Sequence, residues 1–160
     1  IMATGCQFVL LGTGEWRYED FFRQKAWQYG GRLSAQLAYS EALSRRIYAA
    51  ADLFLMPSRS EPCGLSQMIA MHYGAVPIVR CTGGLADTVK SCQVGQEDGT
   101  GYLFGRYEAG AMLDVIGQAT GLYRGDRNGF DTVRRRGMTA DFTWDRSAVA
   151  YRQIYANLLG

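Results

Sequence analysis

Asp52-Leu53-Phe54-Leu55-Met56 stops at Pro57 and opens into Ser58-Arg59-Ser60-Glu61-Pro62-Cys63-Gly64; a second apolar run, Ala75-Val76-Pro77-Ile78-Val79, leads to Cys81-Thr82-Gly83-Gly84. Each run is short, continuous and apolar, the signature of a strand buried on both faces. Between them, residues 64 to about 73 show helical spacing, with Leu65, Met68, Ile69 and Tyr73 on one face and Gly74 as the stop. Strand, loop, helix, strand, glycine turn and helix in that order describe a parallel β-α-β unit.

The same alternation continues outward. Gln7–Leu11 reads as a buried strand ending in Gly12-Thr13-Gly14, and 16–29 as a helix closed by Gly30-Gly31. Arg32–Gln36 is a weaker strand, and Ser40 is placed to cap a helix carrying Leu43, Ile47 and Ala50. Downstream, 85–90 reads as a short helix, 91–100 as a polar surface loop and 101–104 as an edge strand. Helices follow over about 108–123, 127–140 and 144–159. The apolar stripe of the first is Met112, Val115, Ile116, Ala119 and Tyr123. That of the last is Ala148, Tyr151, Ile154, Tyr155 and Leu158, whose aromatics suit a core or an interface with a missing partner. The expected fold is α/β: a doubly wound, Rossmann-like parallel sheet.

With 160 residues, 48% apolar and 20% charged, the chain has the composition of one globular domain. A net charge of +2 is too small to argue for nucleic acid or an anionic membrane as partner. Cys6, Cys63, Cys81 and Cys92 form no C-x-x-C pair, and His72 is the single histidine, so no metal set is expected. Scattered thiols point to a reducing, cytoplasmic setting. The opening Ile-Met-Ala-Thr-Gly reads as the tail of a preceding element, hence a piece of a longer protein.

In a parallel sheet, ligands bind beyond the carboxyl ends of the strands. Four loops fall there: Gly12-Thr13-Gly14, Ala38-Tyr39-Ser40, the 58–64 loop and Cys81-Thr82-Gly83-Gly84. Thr82-Gly83-Gly84 and Gly64-Leu65-Ser66 each combine glycine with a following helix, an arrangement that offers free N–H groups to an anion or merely shapes a tight turn. Arg17 replaces the third glycine of a dinucleotide fingerprint, and neither a phosphate-binding G-x-x-x-x-G-K-[ST] nor a D-x-D is present. Glu61, held extended by Pro62, can take sugar hydroxyls or be a solvated loop carboxylate. His72 reads as a surface or packing residue, and Arg134-Arg135-Arg136 as a solvated helix face rather than an anion site.

The string from Pro57 to Gln67 closely resembles the glycogen synthase and starch synthase family. So do the following Tyr73-Gly74-Ala75-Val76-Pro77-Ile78-Val79 and Thr82-Gly83-Gly84-Leu85-Ala86-Asp87-Thr88-Val89. The match extends from Leu11-Gly12-Thr13-Gly14 to Asp141-Phe142-Thr143-Trp144, nearly the whole chain. The resemblance implies a glycosyltransferase of two facing Rossmann-like domains, the GT-B plan. Residues 1–160 would be the C-terminal nucleotide-sugar domain, lacking its first strand–helix unit and the N-terminal acceptor-side domain. It implies transfer of glucose from ADP-glucose to the non-reducing end of an α-1,4-glucan, with retention and without cofactor or metal, in bacterial cytoplasm or plastid stroma.

By the same resemblance Glu61 is the catalytic carboxylate near the donor glucose. The Cys63 and Gly64 amides hold glucose hydroxyls, Ser66 contacts phosphate, Thr82, Gly83 and Gly84 border glucose and diphosphate, and Tyr39 stacks on adenine. Ser60, Arg45 and Ala38 depart from the family pattern. The family's diphosphate-clamping Arg and Lys lie upstream of residue 1, so the isolated chain is expected to be inactive. Related two-domain enzymes using other nucleotide sugars usually carry a second glutamate eight residues after the first, where this chain has Ile69. A non-catalytic binding module is the remaining alternative.

Overall fold

A computed structural model describes residues 1–92 and 98–159. After a single 3-10 turn at Met2–Thr4, strands β1 (Phe8–Leu11), β2 (Leu33–Gln36), β3 (Leu53–Met56), β4 (Val76–Arg80) and β5 (Tyr102–Phe104) alternate with helices. These are α1 (Trp16–Gln28), α2 (Glu41–Ala50), α3 (Ser66–His72), α4 (Gly84–Thr88), α5 (Ala109–Gly125), α6 (Arg127–Met138) and α7 (Trp144–Leu159). The expected order of elements is thus observed, and every ladder is parallel.

The sheet is not continuous. β1 pairs with β2 in one ladder, and β3–β4–β5 form another. Strand β4, paired on both sides, is the buried one: Val76, Ile78 and Val79 are at most 2% exposed. Strand β3, which the sequence marks as the clearest buried run, is half-buried at all four positions. Among the described residues it has a strand partner on one edge only, which leaves its apolar side chains less covered.

Pleat alternation around β4 divides the core. Val76 and Ile78, with Tyr102 and Phe104 of β5, pack under Val115, Ile116 and Ala119 of α5 and Phe130 and Val133 of α6. Val79 points the other way, against Met71 of α3, with Leu85 and Val89 around α4. Helices on both faces of β3–β4–β5 make this half doubly wound.

Three readings from periodicity need correction. Helix α3 buries Gln67, Ala70 and Met71, while Leu65, Ile69 and Tyr73 of the expected stripe are 63%, 41% and 42% exposed. Its inward face is set by close approach to α6, where Gly137 lies against Met71, and by hydrogen bonds to Gln67. Arg134 is not a solvated residue of α6; its guanidinium donates to Asp52 at 2.7 Å and lies 3.4 Å from Asp131. The 91–100 stretch is not wholly surface either, because Gly99 and Thr100 are buried and Ser91 bridges to Gly101. Residues 93–97 of it lie outside the described residues.

Helix α7 forms over the expected span but buries none of its residues, with Trp144 and Leu158 81% and 77% exposed. His72 is exposed, as read. No helix among the described residues is long and apolar enough to cross a membrane.

Candidate active site

The carboxyl ends of β3 and β4 lie side by side, because Met56 pairs with Val79 in the parallel register. The chain leaving β3 runs through Pro57 to Leu65 before α3 begins at Ser66; the chain leaving β4 turns at Cys81–Gly83 and enters α4 at Gly84. The two connections therefore start as neighbours, and they stay in contact. The Gly84 N–H donates to the carbonyls of Glu61 at 3.2 Å and Pro62 at 3.3 Å.

Glycine is required for that approach. A side chain at Gly84 would run into the Cys63 carbonyl, and one at Gly83 into the Glu61 carbonyl. Gly83 also has φ 46°, which side-chain-bearing residues rarely adopt. On the other connection Gly64 turns with φ 73°, and a Cβ there would meet the Gln67 carboxamide. The glycines thus do more than shape two separate turns: they let one turn sit on the other.

Within this junction Glu61 is half-buried, and the Ser58 hydroxyl donates to its Oε2 at 3.5 Å. Cys63 is exposed, Gly64 and Gly84 are buried, and Ser66 and Thr82 are half-buried. Seven of the eight residues singled out from sequence therefore fall on two adjoining connections or on the first residue of the helix that each enters. Tyr39 stands apart. It is 89% exposed on the loop after β2, in the other ladder, and among the described residues no hydrogen bond joins it to the junction.

Periodicity and motif did not single out Arg80 or Gln67. Arg80 ends β4, and its Nη1 donates to the Arg59 carbonyl at 2.5 Å while its guanidinium lies 5.5 Å from the Tyr107 ring centroid. It braces the loop that carries Glu61 with a fixed positive charge. Its position at the last residue of a buried strand was the available signal.

A pocket of about 260 Å³, lined by Pro57, Phe104, Tyr107, Glu108, Ala109 and Met112, opens at the same end of the sheet. A larger concavity of about 700 Å³ runs along α1, but its lining from Arg23 to Gln28 comes from one helix and cannot enclose a ligand. None of the eight residues singled out from sequence lines the strand-end pocket; the junction is favoured by its position at the carboxyl ends of the strands. All four cysteines are free thiols, and among the described residues no group of His, Cys, Asp and Glu is placed to hold a metal.

The profile of the family described as "Glycosyl transferases group 1" matches residues 2–120. The chain belongs to that family. The matched span holds both connections and every residue of the junction. Among curated members, the chain is 48% identical over 158 residues to the glycogen synthase of Lachnospira eligens, covering 99% of this chain and 33% of that one. It is 50% identical over 159 residues to the glycogen synthase of Trichodesmium erythraeum, covering 98% and 34%.

Among solved structures, the catalytic domain of starch synthase IV from Arabidopsis thaliana, bound to ADP and acarbose, superposes with TM-score 0.87 at 36% identity. That match covers 98% of this chain and 33% of the other. Sucrose-phosphate synthase from Thermosynechococcus elongatus follows the same fold with TM-score 0.65 and 25% identity, covering 96% and 38%. This group 1 glycosyltransferase chain thus spans about a third of the length of the relatives it matches.

Proposed function

We propose that this chain is the donor-binding part of a retaining glucosyltransferase that moves glucose from ADP-glucose to the non-reducing end of an α-1,4-glucan. The observation that carries the reading is the junction itself. A carboxylate and two glycine-bearing connections meet at the carboxyl ends of adjacent parallel strands. Relatives named glycogen synthase support the glucan, and the starch synthase bound to ADP and acarbose supports an adenine nucleotide and an oligosaccharide acceptor.

In this reading the Cys63 and Gly64 amides hold glucose hydroxyls. Ser66 contacts the phosphate, and Thr82, Gly83 and Gly84 border the glucose and the diphosphate, on which negative charge builds as the glycosidic bond breaks; the Gly84 N–H itself is held by the Glu61 and Pro62 carbonyls. Fixed donors aimed at that charge lower the barrier without having to reorganise. Glu61 sits by the anomeric carbon as it becomes cation-like, and Tyr39 covers the adenine. The chemistry needs neither cofactor nor metal. The acceptor glucan reaches the crevice through a second domain, in a cytoplasmic or plastid-stromal enzyme.

The proposal that a strand–helix unit precedes residue 1 is supported by two open edges. Among the described residues β1 has no partner opposite β2, and β3 has none opposite β4. One parallel strand between them would give the order 3-2-1-4-5-6 of a doubly wound nucleotide-binding sheet. That unit would also carry the cationic clamp for the diphosphate, so the 160-residue chain alone transfers no glucose.

Full-length protein incubated with labelled ADP-glucose and glycogen is the direct test. Transfer is expected, with Glu61→Gln lowering kcat roughly 10²–10³-fold while ADP affinity stays near the parent value. Robust glycogen labelling by Glu61→Gln, or preference for UDP-glucose in calorimetric titrations, would sink this assignment.

A further inference from the structure

We infer that Gln67 is a positioning residue, whose buried carboxamide fixes the register of the Glu61–Gly64 connection against the Gly83–Gly84 turn. This rests on the donor site proposed above and adds what holds its two sides together.

Gln67 is 0% exposed, in the second turn-forming position of α3, where an apolar residue would fill the same volume. Its Nε2 donates to the Gly64 carbonyl at 2.6 Å and to Thr88 Oγ1 at 3.0 Å. The Thr88 hydroxyl in turn donates to the Gly84 carbonyl at 2.6 Å. With the Gly84 N–H returning to the Glu61 and Pro62 carbonyls, the hydrogen bonds close a circuit from one connection to the other and back.

The direction of each bond in that circuit is determined. The Thr88 proton goes to a carbonyl, which can only accept, so Thr88 Oγ1 must accept from Gln67. The Gly64 carbonyl likewise demands a donor. Rotating the carboxamide by half a turn would face oxygen with oxygen at the Gly64 carbonyl, so both N–H groups of the amide are committed to bridging.

The remaining oxygen, Oε1, is buried and has no hydrogen-bond partner among the described residues. Burying an unpaired carbonyl is unfavourable, and a methionine or leucine would avoid it. What the amide supplies instead is orientation between the starts of α3 and α4, through two residues 21 positions apart in sequence. Gly64 leaves room for it, since a Cβ there would strike Oε1. Because Glu61 lies on one connection and the Gly83–Gly84 turn on the other, this bridge sets where the carboxylate stands relative to the turn proposed to border the donor. Small misplacement of such groups is costly to catalysis.

The test uses full-length protein with four variants: Gln67→Met, Thr88→Val, the double variant and Thr88→Ser, which keeps the hydroxyl. With folding confirmed by a Tm above the assay temperature, Gln67→Met and Thr88→Val should each lower kcat roughly 10–100-fold, with ADP affinity within about 3-fold of the parent. The double variant should be no worse than about the poorer single one, because both break the same bridge. Thr88→Ser should behave as the parent.

Hydrogen exchange gives a readout that needs no turnover: either single variant should speed exchange in peptides covering both 61–65 and 82–88. Parent-like kcat in both folded variants, multiplicative losses in the double, or exchange rising only around the substituted residue would each overturn the inference. A parent protein that transfers glucose from no nucleotide sugar would sink the proposed function, while the exchange data would still decide the bridge.

Discussion

Val9 in β1 and Val79 in β4 occupy similar places in similar strands, yet one is 48% exposed and the other 0%. Both belong to short apolar runs in parallel ladders, followed by a loop and a helix. What differs is company. β4 has a strand on each edge and helices on both faces, whereas β1 has one strand partner, and the residues before α3 contribute only Leu33 to the buried core. Burial belongs to the neighbourhood of a strand and cannot be assigned to a run of residues taken alone.

Equivalent truncations in the two halves should expose that contrast most strongly. Val79→Ala removes two buried carbons and leaves a cavity, and should cost about 2–3 kcal/mol in denaturant unfolding. Val9→Ala in the same chain should cost about 0.5 kcal/mol, since half of that side chain is already in water. In full-length protein the second value should rise towards the first if another strand covers the open edge of β1. Equal costs in the 160-residue chain would show that the two ladders are equally packed.

Alkaline pH should act on the closed half. Burial raises the Tyr102 phenol from 10.0 to about 12. The folded state then holds a proton that the unfolded chain releases. Stability from this group is complete below about pH 10 and is lost as pH climbs through about 12, by roughly 2 kcal/mol in all. Tyr102→Phe should flatten the fall in unfolding free energy over that interval; an unchanged slope would mean the phenol is not the group responsible. In the open half Tyr18 and Tyr39 are 53% and 89% exposed, and Tyr29 and Tyr48 are half-buried.

A smaller effect is expected where β3 meets α6. Arg134→Met keeps most of the stem but removes the partner of Asp52, and should cost about 1 kcal/mol in low salt, less in 1 M NaCl. Arg127, 4.0 Å from the same carboxylate, limits the loss. A salt-independent cost would assign the contribution to the contact of Arg134 with Phe130, whose ring centroid lies 5.2 Å from the guanidinium.

How far the site could be read in advance depended on the range of the interactions. Glu61, Gly64, Gly83 and Gly84 were legible because their neighbours in sequence are also their neighbours in function: an apolar run, a breaker and a helix start place them at a strand end. Ser40 was legible for the same reason, and its hydroxyl accepts from the Leu43 N–H at 3.2 Å. Gln67 was hidden, because polarity alone puts a glutamine outside and its partner Thr88 is distant in sequence. Arg134 was hidden likewise, with Asp52 on another element.

From the linear order of residues come the alternation of strands and helices, the parallel α/β class, the family and the two glycine-bearing connections, all governed by local sterics, hydrogen-bonding capacity and apolar spacing. Within these 160 residues, only the folded arrangement decided that β4, paired on both edges, is more deeply buried than β3. It alone turned α3 to face inward through Gln67, Ala70 and Met71. Those outcomes rest on which surfaces meet across long stretches of chain, and a contact between residues far apart in sequence leaves no periodic trace in either partner.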